Sequence, residues 1–340
     1  MRDLVVAGGG PVGLATALYA ARAGLDVVVR EPRRGVVDKA CGEGLMPGAV
    51  QALAGLGVRP DGHPIAGIRY VDGDRRVDAP FGSAGLGVRR TVLHAALRSA
   101  VDAAGVCVED RPVEAVVQHA DRVVVDGEPA RHLVAADGLH SPLRRRLGLD
   151  AAAPGPRRYG LRAHYATAPW TPYVEVHWSA HAEAYVTPVG PDLVGVAVLS
   201  SRPGPFAELL AEFPALTTRL AGQPVASKAR GAGPLRQRSR RRVAGRVLLV
   251  GDAAGYVDAL TGEGIASGLA QARVAVDAVA AGEPAGYERA WRRVTRRHDL
   301  MTHALLSASR RPAVRARLVP AAAALPWVFR AAVHELARPA

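Results

Sequence analysis

The chain has 340 residues, 49% of them hydrophobic, with 44 Lys and Arg against 31 Asp and Glu and a formal net charge of +13. That length and apolar fraction allow one large fold with an inserted sheet, or two closely joined domains, and exclude a low-complexity chain. Two cysteines exclude a disulfide framework, no apolar run reaches the ~18–20 residues of a membrane-spanning helix, and the almost purely arginine positive charge is not interleaved with aromatics as in a single-strand nucleic-acid binder.

Leu4–Ala7 reads as a short buried parallel strand, Leu14–Arg22 as a helix ended by Gly24, and Asp26–Val29 as a second strand with Glu31 just past it. Gly8, Gly10 and Gly13 have the GxGxxG spacing: the first allows a tight turn, the second lets backbone approach a pyrophosphate, and the third lets helix and strand pack closely. The helix N-terminus at Pro11 and Val12 offers free N–H groups and partial positive charge to phosphates. Glu31 is placed to accept hydrogen bonds from a ribose. This argues for FAD or NAD and against NADP.

Further along, the loop Asp38–Pro47 carries Cys41 in a Cys-Gly-Glu-Gly run. Ile65–Val71 and Arg75–Asp78 suggest a hairpin, and Cys107 is expected in a strand core. Arg131–Ala136 reads as a strand delivering Asp137-Gly138, with Ser141 and Pro142 as N-cap and first helical position. Arg162–Thr167, Tyr173–Trp178, Ala182–Pro188 and Leu193–Ser200 alternate as strands do and suggest an antiparallel sheet over the cofactor. His164, Tyr165, Tyr173, His177, Trp178, His181 and Tyr185 are its candidate pocket lining; alternation prevents His177 and Trp178 from facing the pocket together without a bulge. Gly245–Val250 is a buried strand delivering Gly251-Asp252. Thr261 is the expected N-cap of a helix running to about Ala281. Val314–Ala337, apolar with spaced arginines, reads as a helix packed on the cofactor domain, or as an amphipathic hairpin that covers the site or touches a membrane.

The run Asp137-Gly138-x-x-Ser141-x-x-Arg144, together with Gly8–Gly13, Gly251-Asp252 and Arg90 at a helix start, resembles the FAD-dependent aromatic-ring hydroxylases and their relatives. The loop Cys41-Gly42-Glu43-Gly44 and the turn Thr261–Ile265 are more similar to the geranylgeranyl reductase branch. The Tyr-x-Trp-x-Phe-Pro motif of that branch is incomplete in Ala184–Val189, where Tyr185 and Pro188 stand without the Trp. The Gly-Trp-x-Trp-x-Ile-Pro motif of flavin halogenases is absent.

The resemblance implies an α/β fold: a Rossmann-like FAD-binding domain with an inserted antiparallel β-sheet substrate domain and a helical C-terminal tail. The expected division is 1–156 (with a hairpin at 64–82 given to the substrate sheet), 157–237 for that sheet, 238–310 for the rest of the FAD domain, and 311–340 for the tail. It also implies that Gly8, Gly10, Pro11, Val12, Gly13, Glu31, Arg90, Asp137, Gly251, Asp252, Gly262, Glu263, Gly264 and Ile265 hold FAD, with Asp252 on its ribityl or ribose hydroxyls and no metal required. Cys41, His164 and Tyr185 are the candidate catalytic groups.

The favoured reading is a monooxygenase that uses NADH or NADPH and O2, through a flavin C4a-hydroperoxide, on an apolar or aromatic small molecule. The alternative is an FAD-dependent reductase of prenyl or polyene double bonds. A flavin-binding protein without redox activity is the third class. The chain is expected to be cytoplasmic, without a signal peptide or nucleic-acid partner, and with peripheral membrane contact as one reading of its tail.

Overall fold

The computed structural model describes residues 1–338; the last two residues of the expected tail segment lie outside them. Two large sheets organise the chain. In the first, strands Val247–Leu249, Glu128–Ala135, Arg2–Ala7, Val27–Arg30 and Cys107–Glu109 lie side by side and parallel. These strands read as continuous apolar runs because both faces of a parallel sheet are covered. Leu4, Val6, Val29, Leu133, Val134 and Leu248 are fully or almost fully buried. Helix Pro11–Arg22 packs on this sheet and against helices Arg90–Ala103 and Gly264–Ala280. It ends as expected, with Gly24 at φ +74° just beyond it.

Cys107 departs from expectation. Its strand is the outer edge of the sheet, and the thiol is exposed rather than in the core.

The second sheet runs in the order Arg230–Ala232, Tyr159–Tyr165, Leu193–Ser200, Ala182–Gly190, Tyr173–Trp178, His63–Asp72, Arg75–Gly87, Gly44–Leu45. Pairing is antiparallel except between Tyr173–Trp178 and His63–Asp72, which run parallel. Alternation divides its residues cleanly. Ala182, Ala184 and Val186, with Val194, Val196 and Val198, pack against the short helices Phe206–Leu210 and Pro214–Leu220. Tyr185, Thr187, Ala197 and Leu199, between them in sequence, face the other way, toward the first sheet.

The tail forms helices Pro312–Arg315, Leu318–Ala324 and Pro326–Ala337. It does not pack chiefly on the parallel-sheet domain, as one sequence reading had it. Val319, Phe329 and Val333 pack on Val77 and Ala79 of the second sheet. Helical periodicity identifies an apolar face but not the surface it meets.

A buried ionic chain pins the start of the tail. The Arg315 guanidinium donates to Glu183 Oε1 at 2.6 Å and to the Ala182 carbonyl at 2.6 Å. Glu183, fully buried, also pairs with Arg158, whose Nε lies 3.4 Å from Asp258. No single helix among the described residues is long and apolar enough to cross a membrane.

Candidate functional site

A cavity of about 560 Å3 lies where the two sheets meet. Three segments from the ends of parallel strands form one side of it: Gly10–Val12, Ala136–Gly138 and Val250–Asp252. In an open α/β sheet, this carboxyl end of the strands is where ligands bind.

The glycines of the first turn separate by role. A Cβ on Gly13 would stand 1.8 Å from the Gly8 carbonyl oxygen, and one on Gly8, at φ +107°, would stand 2.5 Å from the Ala136 oxygen. Both positions are closed by backbone. A Cβ on Gly10 would meet nothing within 4 Å, and Gly10 lines the cavity. It would intrude only on a ligand. Pro11 and Val12 line the cavity beside it, whereas Gly8 and Gly13 build the turn without lining it.

Glu31 is buried beneath this turn. Its Oε2 accepts from the Gly9 N–H at 2.8 Å, and Arg33 donates to both carboxylate oxygens at 2.7 Å. Burial opposes the charge of Glu31, but Arg33 and the two backbone donors hold its carboxyl below the ordinary value. His94 supports the turn from the other side. Its Nε2 lies 2.9 Å from the Gly9 oxygen, which can only accept, and the Val37 N–H donates to Nδ1 at 3.4 Å. That arrangement suits a neutral imidazole with its proton on Nε2, and burial pushes the His94 pKa down.

The polar groups facing the cavity are incompletely paired. Asp137 Oδ2 accepts from the Leu143 N–H at 3.0 Å, while its Oδ1 is buried with no partner among the described residues, as is Arg90 Nε. Burial pushes the carboxyls of Asp137 and Asp252 up, against the pull of Arg144 on both and of Lys39 and Arg90 on Asp252. Arg144 itself is tied away from the cavity, donating to Asp150 at 2.8 Å and to the Ala253 carbonyl at 3.1 Å. Ser141 caps its helix as expected, accepting from the Arg144 N–H at 2.9 Å.

Gly251, Gly262, Gly264 and Ile265 also line the cavity, at the N-terminus of the helix Gly264–Ala280. Thr261 is not that helix's N-cap; the cap residue is Glu263, and Thr261 Oγ1 instead shares a hydrogen bond with Thr302 at 2.9 Å. Glu263 turns away from the cavity to His298, at 2.7 Å.

These features fit a flavin dinucleotide. Two helix N-termini, a cradle that a Cβ on Gly10 would fill, and unpaired buried atoms on Asp137 and Arg90 all border one cavity. An elongated anionic ligand with hydroxyl groups satisfies each of them.

The other side of the cavity is apolar: Ile65, Ile68, Phe81, Val174, Val176 and Leu199, with Val333 and Leu336 from the tail. Tyr70, Tyr185 and Tyr256 add phenol rings, and Tyr185 donates to the Leu260 carbonyl at 3.0 Å. Burial pushes the Tyr185 hydroxyl well above its ordinary pKa. Cys41 lines the junction of the two halves, its sulfur 3.4 Å from the Glu43 N–H.

His164 does not reach the cavity. It is buried between Glu43, at 2.7 Å from Nε2, and Ser227, at 2.8 Å from Nδ1. Tyr165, Tyr173, His177, Trp178 and His181 are likewise outside the lining, so Tyr185 is the one aromatic or histidine candidate of that strand set that faces it. His177 pairs with Glu175 at 3.2 Å, and Trp178 lies under the tail. The alternation argument was sound, but the residues aimed at the cavity are Val174 and Val176.

The lining also holds residues that the sequence did not single out, Glu43, Arg162 and Tyr256 among them. Glu43 is a buried non-glycine residue at φ +61°, held there by the Arg90 N–H at 2.8 Å and by His164. Arg162 donates to the Lys39 carbonyl at 3.1 Å and pairs with Asp38. The glycines on either side of Glu43 signal its unusual backbone. An Arg and a His two apart in an apolar strand signal a buried ionic network.

No protein-family model matches the chain. Menaquinone reductase of Mycobacterium tuberculosis is 33% identical over 313 residues, 81% of this chain and 76% of that protein. Digeranylgeranylglycerophospholipid reductase 1 of Methanopyrus kandleri is 30% identical over 311 residues, 80% of this chain and 79% of that protein. Among solved structures, a flavoprotein/dehydrogenase from Cytophaga hutchinsonii superposes with a TM-score of 0.85 at 17% identity, covering 98% of this chain and 92% of that one. A halogenase solved in complex with FAD gives a TM-score of 0.71 at 18% identity, covering 85% of this chain and 73% of that one.

Proposed function

Because this chain belongs to the geranylgeranyl reductase-like family of FAD-dependent oxidoreductases, we propose that it reduces a carbon–carbon double bond in a prenyl or polyene chain. The observation that carries this reading is the apolar half of the cavity. Ile65, Ile68, Phe81, Val174, Val176 and Leu199 offer a hydrocarbon substrate a dry wall and offer a polar aromatic ring few partners. The named reductase activities of the two curated relatives support the same choice.

In this reading Gly10, Arg90, Asp137 and Asp252 hold the cofactor, with the helix N-termini at Pro11 and Gly264. FAD, when bound and reduced, supplies hydride equivalents to the substrate. The chain's own residues do the rest. The aliphatic wall orients the double bond and excludes water. The carbon that does not take hydride needs a proton, and Cys41, at the junction of the two halves, is the group we assign to give it. Tyr185, committed to the Leu260 carbonyl and a poor acid after burial, serves as wall rather than proton donor.

A monooxygenase using NADH or NADPH and O2 is the second reading. Tyr185 and Tyr256 favour it, since both line the cavity with phenol rings on which an aromatic substrate can stack. One experiment separates the two. The FAD-loaded protein, reduced chemically under anaerobic conditions, is incubated with a geranylgeranyl lipid and the product is weighed by mass spectrometry. A gain of two hydrogens per reaction supports the reductase. An inert lipid, with an aromatic substrate that gains one oxygen atom only when O2 and a nicotinamide are present, overturns it.

A further inference from the structure

The tail presents an apolar elbow to solvent. Its helical stretches Pro312–Ala324 and Pro326–Ala337 meet at 101°. At the bend Leu325 is 49% exposed, Trp327 69% and Val328 42%. Their neighbours in sequence are spoken for: Phe329 and Val333 are buried against Val77 and Ala79 of the second sheet. The elbow residues are therefore not loose core. They project from a segment whose inner face is already packed. Ala321, Ala323, Ala324 and Ala331 extend the exposed apolar surface around them.

The charge carried by the tail segment is predominantly positive. Between residues 311 and 338 the only acid is Glu335, while Arg311, Arg317, Arg330 and Arg338 are all exposed. An exposed indole beside a leucine and a valine, on a segment whose exposed charges are mostly guanidinium groups, matches the boundary of an anionic bilayer. Apolar tips enter the acyl edge there and arginine stems reach back to lipid phosphates. Neither stretch alone is long enough to span a bilayer, and the bend between them prevents a straight crossing. That geometry suits a segment lying in the interface. The opposite side of the same helices supplies Val333 and Leu336 to the cavity wall.

We propose that the Leu325–Val328 elbow, with the exposed arginines of the same segment, seats the protein on the surface of an anionic lipid bilayer. The proposal goes beyond the reductase reading and does not depend on which bond is reduced.

The test is co-sedimentation of the FAD-loaded protein with two kinds of vesicle, phosphatidylcholine alone and phosphatidylcholine mixed with phosphatidylglycerol. The wild type should partition onto the mixed vesicles and far less onto the neutral ones, and added salt should release it. Trp327→Glu combined with Val328→Glu should cut partitioning about tenfold, and Arg311→Glu with Arg317→Glu should cut it on the mixed vesicles only. Flavin content and thermal melting serve as the folding control, since all four side chains are exposed. Failure of the wild type to bind either vesicle, or equal binding by the Trp327 and Val328 variant, overturns the proposal. A concentration-dependent dimer in light scattering, abolished by that variant, overturns it in favour of a second copy as occupant. Turnover of a detergent-soluble substrate is the separate readout: loss of the reductase reading leaves vesicle binding unchanged, and loss of vesicle binding leaves turnover unchanged.

Discussion

Two glycines of the first turn, Gly10 and Gly13, illustrate opposite uses of a missing side chain. Gly13→Ala drives a methyl into the Gly8 carbonyl and should lower thermal stability whether or not flavin is present. A Cβ added at Gly10 meets no protein atom within 4 Å, so the Gly10→Val apoprotein should melt close to the wild type while flavin is lost on gel filtration. Flavin retained by a folded Gly10→Val protein would remove Gly10 from the site. Asp252→Ala should weaken FAD binding about ten- to a hundredfold, the worth of a hydrogen bond involving a charged group, with little change in melting; fluorescence titration measures it. Cys41→Ala should keep FAD and slow double-bond reduction about a hundredfold, the low end of general-acid contributions. Single-turnover kinetics at saturating substrate test it, and an undiminished rate would hand the proton to another donor. His94 adds a pH dependence. Its folded pKa lies below the ordinary 6.5, so the unfolded state takes up a proton first. The stability it contributes is complete above about pH 6.5 and falls as pH drops through that value toward the folded pKa. His94→Gln should flatten this part of the profile in urea titrations at pH 5 to 7, in comparison with wild type.

At the scale of elements, what could be read ahead was what local pattern encodes. Leu4–Ala7, the glycine turn, the helix to Arg22 and the strand before Glu31 follow from apolar runs and glycine spacing, and each stands where the pattern puts it. The cavity's second wall was not legible in the same way. Polar and aromatic residues on alternating strands were the natural candidates, yet His164 and His177 satisfy buried carboxylates and Trp178 packs under the tail. Valines, which carry no chemical signal, face the cavity instead. Which side of a strand meets a ligand is set by the partner sheet, and one strand's sequence does not contain it. The tail shows the same limit, since its destination on Val77 and Ala79 depends on a hairpin more than two hundred residues earlier. Its ionic clamp gives a prediction at this scale. Arg315→Met leaves Glu183 with Arg158 alone, and should cost about 3 kcal/mol, the low end for breaking a buried pair. Hydrogen exchange should then rise across 318–337 while the parallel sheet stays protected.

For the whole molecule, the cavity belongs to neither sheet. Its walls come from Gly10, Asp137 and Asp252, each more than a hundred residues from the next, and from strands and tail helices of the second sheet. A ligand filling it contacts segments that the backbone joins only through long loops. Binding to the folded state alone should add about 2.7 kcal/mol of stability at a free concentration one hundred times Kd. Differential scanning calorimetry with increasing FAD measures the shift, and an unchanged midpoint would place the flavin elsewhere. The consequence reaches past stability to cooperativity. Without flavin, the two sheets share a large empty joint, and unfolding can proceed in two stages. With it, a small molecule acts as a fastener spanning the chain, and the sheets should melt together.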